Sequence, residues 1–204
     1  MKHLLLKVDR YYSDKFETFG PEPKGVDWKN QEHQLKRFNV LMDIGISSGD
    51  SVLDVGCGYG AFYDYMVKKG LKVDYVGVEM VASMVEYAKQ RFKSANFLHA
   101  DFLTLEFPEG FDYVLASGTY HVKLDVGEKE WWEKVVKPSI EKMWQLCRKG
   151  IAFNMMSPFV DYRYDRLFYP EISEVMDFVS GFTRKFTFRH DYGLFEFTVY
   201  LWRD

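Results

Sequence analysis

The sequence has few cysteines and no long apolar run. Its two cysteines, Cys57 and Cys147, are too few for a disulfide framework and lack the spacing typical of metal ligands. The opening MKHLLLKVDR contains three consecutive leucines before a charge, which is too short for a signal peptide. No apolar run approaches the roughly 18 residues of a membrane span. We therefore expect a cytoplasmic protein that does not contact a membrane.

The sequence also lacks a strong excess of charge. Its formal net charge of -3 at pH 7 provides no general attraction to phosphate backbones, which disfavours nucleic acid as a partner. The absence of internal repeats and low-complexity tracts argues against a solenoid, and 204 residues fit a single domain. Aromatic residues, at 18%, are in excess. We expect most of them in the core, with a ring-lined ligand pocket as the alternative for some.

Beyond residue 50, short apolar runs alternate with helical patterns of apolar residues spaced three and four apart. This alternation is typical of a parallel sheet with crossover helices. It predicts strands at 51–56, 75–80, 96–101, 113–118 and 150–156, and helices at 61–69, 81–92, 128–148 and 171–180. Pro138 should break or kink the helix at 128–148.

The two ends of the chain depart from this alternation. RKFTFRHDYG and FEFTVYLWRD alternate apolar and polar residues and predict an antiparallel hairpin, which would complete a seven-stranded mixed sheet. Earlier, the Pro- and Gly-rich FGPEPKGVDWKN precedes a predicted amphipathic helix. We interpret residues 1–50 as a short helical lid and 51–204 as the remainder of one compact domain. The aromatic candidates in the lid are Tyr11, Tyr12 and Trp28.

A glycine loop follows the first predicted strand, in the segment VLDVGCGYGAF. Gly56, Gly58 and Gly60 allow the backbone to approach a ligand closely, beside a helix N-terminus that begins near Ala61. Gly56, Gly58 and Ala61 formally satisfy the dinucleotide pattern G-x-G-x-x-G/A, which a nicotinamide cofactor would use. Asp54, which precedes the first glycine, suits a cationic ligand better than a pyrophosphate. The loop alone leaves both cofactor classes open.

With its acid and its third glycine, DVGCGYG resembles the first motif of the class I S-adenosylmethionine-dependent methyltransferases. In that family the acid and the glycine backbone face the methionine part of the cofactor. Glu79 in YVGVEM matches the family acid that accepts from the ribose hydroxyls, and Asp101 in HADFLTLEF matches the position that accepts from the adenine amino group. The resemblance covers 52–156 and implies a Rossmann-like, doubly wound α/β fold, with S-adenosylmethionine as cofactor and S-adenosylhomocysteine as product. The cofactor-binding residues it implies are Asp54, Gly56, Cys57, Gly58, Gly60, Glu79, Met80, Asp101, Phe102 and Ser117.

Each acid also has an ordinary structural interpretation. Asp54 or Glu79 could cap a helix, and Asp101 could be a turn residue. Together, three acids at successive strand ends and a glycine loop favour a nucleoside cofactor, because ligands of open α/β sheets bind outside the carboxyl ends of the strands. In the lid, Arg37 is a candidate partner for the cofactor carboxylate. The alternative for Arg37 is an exposed basic residue on a surface helix.

Methyl transfer from a sulfonium is an in-line displacement, so the protein must align the acceptor. For a hydroxyl or ammonium acceptor it must also remove a proton. His121, just past the fourth predicted strand, is our candidate base, and Tyr120 beside it could hydrogen-bond or shape the pocket. His190 in FRHDYG is a second candidate. A structural role is the alternative for each histidine.

The fourth predicted strand ends in Ser-Gly-Thr-Tyr and lacks the Pro-Pro-aromatic motif of methyltransferases that act on planar amino groups. Asp125 and Asn154 form no convincing metal cluster, so we predict no metal site. We predict a methyltransferase that acts on an oxygen or nitrogen of a small-molecule acceptor. The alternatives are a nicotinamide-dependent oxidoreductase and a non-catalytic S-adenosylmethionine-binding module.

Overall fold

One mixed sheet organises the protein in a computed structural model that describes residues 2–204, with side chains from Leu4 onward. Over these residues its strands are β1 (Ser51–Val55), β2 (Asp74–Glu79), β3 (Asn96–His99), β4 (Phe111–Ala116), β5 (Cys147–Met156), β6 (Phe186–Arg189) and β7 (Glu196–Trp202). Their order in the sheet is β3-β2-β1-β4-β5-β7-β6. β1 to β5 are parallel, and β7 runs antiparallel to β5 and β6. The predicted seven-stranded mixed sheet with a closing antiparallel hairpin is confirmed.

The strand order reverses at β1, because β2 lies on one side of it and β4 on the other. Near the end of β1, Asp54 lies level with Gly77 of β2 and with Leu115 of β4. Ligands of doubly wound sheets bind outside the carboxyl ends of the strands at such a switch point. The glycine loop that follows β1 therefore begins at the centre of the expected crevice.

Helices flank the sheet and precede it. They are α1 (Lys2–Phe19), α2 (Gln31–Met42), α3 (Ala61–Lys68), α4 (Ala82–Arg91), α5 (Glu128–Trp131), α6 (Lys137–Leu146) and α7 (Ile172–Ser180). The start of α2 has a local cause, because the Asn30 side chain accepts a hydrogen bond from the His33 N–H at 2.9 Å. α2 is the helix predicted within the lid, whereas the sequence pattern did not predict α1.

The predicted helix at 128–148 changes type ahead of Pro138. α5 is followed by a π-helical turn at Trp132–Val136, and α6 begins at Lys137. A proline has no N–H to donate to the preceding turn, and its ring crowds the carbonyl four residues earlier. The wider π turn accommodates both effects. At the predicted break or kink, the chain therefore changes locally from α-helical to π-helical winding and back.

Aromatic side chains fill the core on both faces of the sheet. Leu53 of β1 packs in one apolar cluster, which includes Trp131, and its neighbour Val52 packs in another, which includes Phe97. Successive residues of a strand point to opposite faces, so the two clusters lie on opposite sides of the sheet. This placement accounts for most of the aromatic excess, as expected.

α1 lies over the carboxyl ends of the strands and packs through aromatic side chains. The Phe16 ring lies 6.2 Å from the Tyr59 ring of the glycine loop and 6.2 Å from the Tyr87 ring of α4. A short 3-10 turn at Pro23–Val26 connects α1 toward α2. Among the helices of residues 2–204, none is both long enough and apolar enough to cross a bilayer.

Candidate active site

A cavity lies at the carboxyl ends of β1 to β4, beneath α1. The strand ends and the loops after them line one side, and Tyr12 of α1 and Trp28 line the other. The predicted cofactor residues that line it are Asp54, Gly56, Cys57, Gly58, Glu79, Met80, Asp101, Phe102 and Ser117. The fold thus brings together residues from four separate stretches of the sequence.

Asp54 is a buried carboxylate with one unused oxygen. The Tyr75 hydroxyl donates to Oδ2 at 2.6 Å, whereas Oδ1 has no hydrogen-bond partner among the described residues. Burial raises the pKa of Asp54 to about 7, although the Tyr75 bond opposes this and nearby Glu79 adds to it. A buried charge without a partner is costly. The free oxygen is therefore available to a ligand that can donate a hydrogen bond.

The glycine loop turns through left-handed residues that a side chain would disrupt. Gly56 has a φ of 73° and Gly58 a φ of 54°. A Cβ on Gly56 would lie 2.6 Å from the Thr119 hydroxyl oxygen, so the close approach of the two loops requires glycine. Gly60, predicted to bind the cofactor, lies outside the cavity lining. A Cβ there would lie 2.9 Å from the Phe92 ring, so its small size serves packing.

The Glu79 carboxylate ties the glycine loop to the end of β2. Its Oε2 accepts from the Gly58 N–H at 2.9 Å, and its Oε1 accepts from Met80 at 2.7 Å and Val81 at 3.0 Å. Burial raises the pKa of Glu79, although these backbone bonds lower it. The same carboxylate lines the cavity, whereas α4 begins at Ala82 without a side-chain cap. The helix-capping interpretation of Glu79 is therefore wrong, and its carboxylate instead holds the glycine loop to the end of β2.

The ends of β3 and β4 complete the lining. Asp101 Oδ1 accepts from the Leu103 N–H at 2.9 Å, so the turn role foreseen for it exists, and Asp101 also lines the cavity beside Phe102. Ser117, after β4, lines the cavity with a buried hydroxyl that has no partner among the described residues. Its free hydroxyl is a second unused polar group for a ligand.

Among the described residues, the cavity lining contains acidic side chains and no positively charged ones. Its lining includes Asp54, Glu79 and Asp101, and none of the described residues that line it is a lysine, arginine or histidine. A pyrophosphate would meet carboxylates here with no cation to neutralise it, whereas a sulfonium or ammonium group would meet opposite charge. The cavity therefore fits a cationic nucleoside better than a dinucleotide.

Comparison with known proteins decides the family. Residues 52–149 match the family model described as a methyltransferase domain. The chain is 32% identical over 153 residues to Rv1506c of Mycobacterium tuberculosis, which is named as a methyltransferase. This similarity covers 73% of this chain and 90% of that one. The chain belongs to the class I S-adenosylmethionine-dependent methyltransferases.

Solved methyltransferase structures share the fold. Magnesium protoporphyrin IX methyltransferase from Synechocystis PCC 6803, with S-adenosylmethionine bound, has a TM-score of 0.63 over 84% of this chain and 80% of its own, at 14% identity. A TehB-like methyltransferase from Corynebacterium glutamicum has a TM-score of 0.61 over 95% and 97%, at 15% identity. S-adenosylmethionine is the cofactor of this methyltransferase. Neither the nicotinamide alternative nor the non-catalytic one has comparable support.

His121 of the methyltransferase is buried, 4% exposed, and lies outside the cavity lining. Its Nε2 has no hydrogen-bond partner among the described residues, and its ring lies edge-on to Trp28 at 5.6 Å. Burial lowers the pKa of His121, although Glu196 opposes this. The imidazole is therefore neutral at pH 7, which is the form that accepts a proton.

The other two catalytic candidates lie in different settings. Tyr120 is buried and lines the cavity, and its hydroxyl contacts the Met143 sulfur at 3.1 Å. Burial raises the pKa of Tyr120, so this hydroxyl stays protonated and is not a base. His190 is exposed, lies outside the cavity lining and bonds through Nε2 with the Ser157 hydroxyl at 2.8 Å. The structure does not bring His190 to the cavity.

Arg37 is in neither of its two expected settings. It is 7% exposed and lies outside the cavity lining. Its Nε donates to both carboxylate oxygens of Glu196 at 2.8 Å, and its guanidinium lies 3.8 Å from the Trp28 ring centre. Arg37 lowers the pKa of the buried Glu196 carboxylate, so Glu196 takes the guanidinium that we expected to bind the cofactor.

Sequence patterns missed several residues of the site. Leu5 and Val8 of α1 line the cavity, and Tyr75 holds Asp54. The apolar spacing in LLLKV was a signal for α1, although a weak one over so few turns. Glu196 carried a signal as well, because it is an acid at the start of a mostly apolar strand.

Proposed function

We propose that this methyltransferase transfers a methyl group to an oxygen or nitrogen of a small-molecule acceptor. The observation that carries the proposal is the covered cavity, whose lining includes Leu5, Val8 and Tyr12 of α1 together with Trp28. An acceptor has to fit beneath or beside this cover, which favours a small molecule over a folded macromolecule. The net charge of -3 adds no general attraction to nucleic acid.

In this proposal each of the three acids binds a different part of the cofactor. Asp54 binds the ammonium group of the methionine part through its free Oδ1, and Glu79 accepts from the ribose hydroxyls. Asp101 accepts from the adenine amino group, with Met80 and Phe102 beside the ring. When bound, S-adenosylmethionine supplies an electrophilic methyl group on a sulfonium. The chain's own task is to align the acceptor with it and exclude water.

We assign proton removal from the acceptor to His121. Its support is the neutral imidazole and the unpartnered Nε2. Trp28 both lines the cavity and contacts the His121 ring, so the acceptor reaches Nε2 by displacing this indole. On this basis α1 and the segment around Trp28 act as the lid.

The test is transfer of label from S-adenosyl-[methyl-³H]methionine to a panel of small hydroxyl and amine metabolites, with RNA and protein as separate arms. We expect a labelled small-molecule product, formed about a hundredfold more slowly by His121→Ala. Glu130→Gln, which alters only an exposed pair with Lys134, is the control and should match the parent. Label that appears only in the RNA or protein arm would overturn the proposed acceptor class. An unchanged rate in His121→Ala would overturn the base assignment alone.

A further inference from the structure

A buried polar network joins the lid to the loop after β4. Its members, which we call the Glu196 network, are Arg37 of α2, Glu196 at the start of β7, Asn154 of β5 and Gly118 after β4. Arg37 donates to both oxygens of Glu196, and Asn154 Nδ2 donates to Glu196 Oε2 at 2.7 Å. The Gly118 N–H donates to Asn154 Oδ1 at 2.6 Å. Glu196 and Asn154 are 2% and 1% exposed, so water does not compete for these bonds.

The direction of every bond in this network is set by Glu196. A carboxylate only accepts, so Asn154 must present its amide N–H₂ to Glu196. The carbonyl of the Asn154 side chain is then forced to face the Gly118 N–H, which only donates. Arg37 lies at the other end of the network. A guanidinium can only donate hydrogen bonds, so the Glu196 oxygens must accept from it. The charge on Glu196 therefore determines which way Asn154 points and whether Gly118 has an acceptor.

The network ends at a turn that lines the cofactor cavity. Gly118 has a φ of 72°, and a Cβ there would lie 2.3 Å from the Trp28 ring. The next residue is held as well, because the Thr119 hydroxyl donates to the Val55 carbonyl at 2.7 Å. With the turn fixed at these points, the free hydroxyl of Ser117 lies in the cavity lining.

Stability alone gives a poor account of this arrangement. A buried ion pair loses much of its Coulomb energy to desolvation, and an apolar pair of similar volume is often at least as stable. The network lies at the carboxyl edge of the sheet, where Glu196 pairs with Met156 at the end of β5. This is the edge that carries the cofactor cavity.

We propose that Glu196 and Asn154 are positioning residues of the methyltransferase, which orient the Ser117–Tyr120 turn toward the cofactor. The proposal rests on the cofactor site and holds for any acceptor. It requires no contact between either residue and the reacting atoms.

The test is Glu196→Gln, in which the side chain keeps its shape and gains a donor. Arg37 would take the Gln oxygen, so the Gln N–H₂ would face Asn154 and turn its carbonyl away from Gly118. We expect the affinity for S-adenosylhomocysteine, measured by calorimetry, to fall about tenfold. We also expect the ¹⁵N-resolved amide resonance of Gly118 to shift upfield and its hydrogen exchange to accelerate.

The double variant Arg37→Met/Glu196→Gln separates positioning from charge burial. Without Arg37, the Gln oxygen is free to accept from Asn154, so Gly118 regains its acceptor and the affinity for S-adenosylhomocysteine should recover to within about threefold of the parent. Asp50→Asn, which alters a buried carboxylate paired with Lys149 at the opposite edge of the sheet, is the matched control and should leave that affinity unchanged.

Three results would overturn the proposal. One is an unchanged affinity and Gly118 resonance in folded Glu196→Gln. The second is a double variant that melts at the parent's temperature but does not regain affinity for S-adenosylhomocysteine. The third is rapid exchange of the Gly118 amide in the parent protein, which needs no variant. All three readouts are independent of the acceptor, so failure to find labelled product would leave them intact.

Discussion

The Tyr75 hydroxyl donates to Oδ2 of Asp54 at 2.6 Å and leaves Oδ1 buried without a partner among the described residues. Tyr75 thereby fixes the orientation of the carboxylate while one oxygen stays available. Burial raises the pKa of Asp54 to about 7, so this carboxylate is only partly ionised at neutral pH when no ligand is bound. A cationic ligand would draw the carboxylate into its ionised form.

The first prediction concerns the pH dependence of cofactor-product binding. Because Asp54 loses its proton near pH 7, the affinity for S-adenosylhomocysteine should rise by roughly tenfold between pH 6 and pH 8. Calorimetric titrations across this range measure it. In Asp54→Asn the rise should be absent, whereas Asp50→Asn should retain it. A parent affinity that is flat with pH would contradict the proposed role of Asp54.

The second prediction concerns stability. A folded-state pKa raised from 3.8 to about 7 means that the native state binds more protons than the unfolded state between these values. The free energy of unfolding therefore falls as pH rises through this window. Asp54→Asn removes this decrease in the free energy of unfolding, so it should stabilise the protein at pH 8 by on the order of 4 kcal/mol. Chemical denaturation at pH 5 and pH 8 checks the sign, and a variant less stable than the parent at pH 8 would refute it.

The third prediction concerns closure of the lid. Asp27 accepts from the Tyr11 hydroxyl at 2.6 Å and pairs with Lys15 at 2.6 Å and Arg166 at 3.3 Å. These contacts hold α1 to the loop after β5. Asp27→Asn keeps a residue that tolerates the observed φ of 61° but removes the charge.

Asp27→Asn should accelerate release of S-adenosylhomocysteine by about three- to tenfold, because the cavity beneath α1 opens more readily. Stopped-flow dissociation measures this rate, and Glu130→Gln should leave it unchanged. High salt should narrow the difference between the parent and Asp27→Asn. Identical rates at low salt would show that Asp27 does not hold the lid.

The fourth prediction concerns His121. Burial lowers its pKa from 6.5, so a nuclear magnetic resonance titration of its ring protons should give a midpoint below that value. The native state then binds fewer protons than the unfolded state between the two pKa values. The free energy of unfolding therefore decreases as pH falls through this window, and His121→Gln should lack that decrease. A midpoint above 6.5 would contradict the effect of burial, and one above 7 would leave the imidazole mostly charged at pH 7 and unsuited to the proposed base.

The sequence was sufficient for the sheet and for the glycine loop. Alternating apolar runs and helical patterns are local signals, and the acids Asp54, Glu79 and Asp101 lie at or just after the carboxyl ends of strands that meet at one edge. Gly56 and Gly58 could likewise be assigned, because their left-handed backbone is a property of the loop itself.

Partners that lie far apart in the sequence could not be assigned in this way. Arg37 has the helical position expected of it, yet its partner is Glu196, which lies in the last strand of the sheet. No local sequence pattern indicates which distant charged residue will pair with Arg37. His121 follows β4 as expected, but its burial behind Trp28 depends on how the lid packs.

The most direct test of the cofactor site is a pair of calorimetric titrations, with S-adenosylhomocysteine and with 5′-methylthioadenosine, which keeps the nucleoside but lacks the amino-acid end. The parent should bind both. Asp54→Asn should lose about tenfold in affinity for the first ligand alone, whereas Glu79→Gln should weaken both, because both carry the ribose. A parent that binds neither ligand, or variants that bind both as tightly as the parent, would contradict the proposed placement of the cofactor.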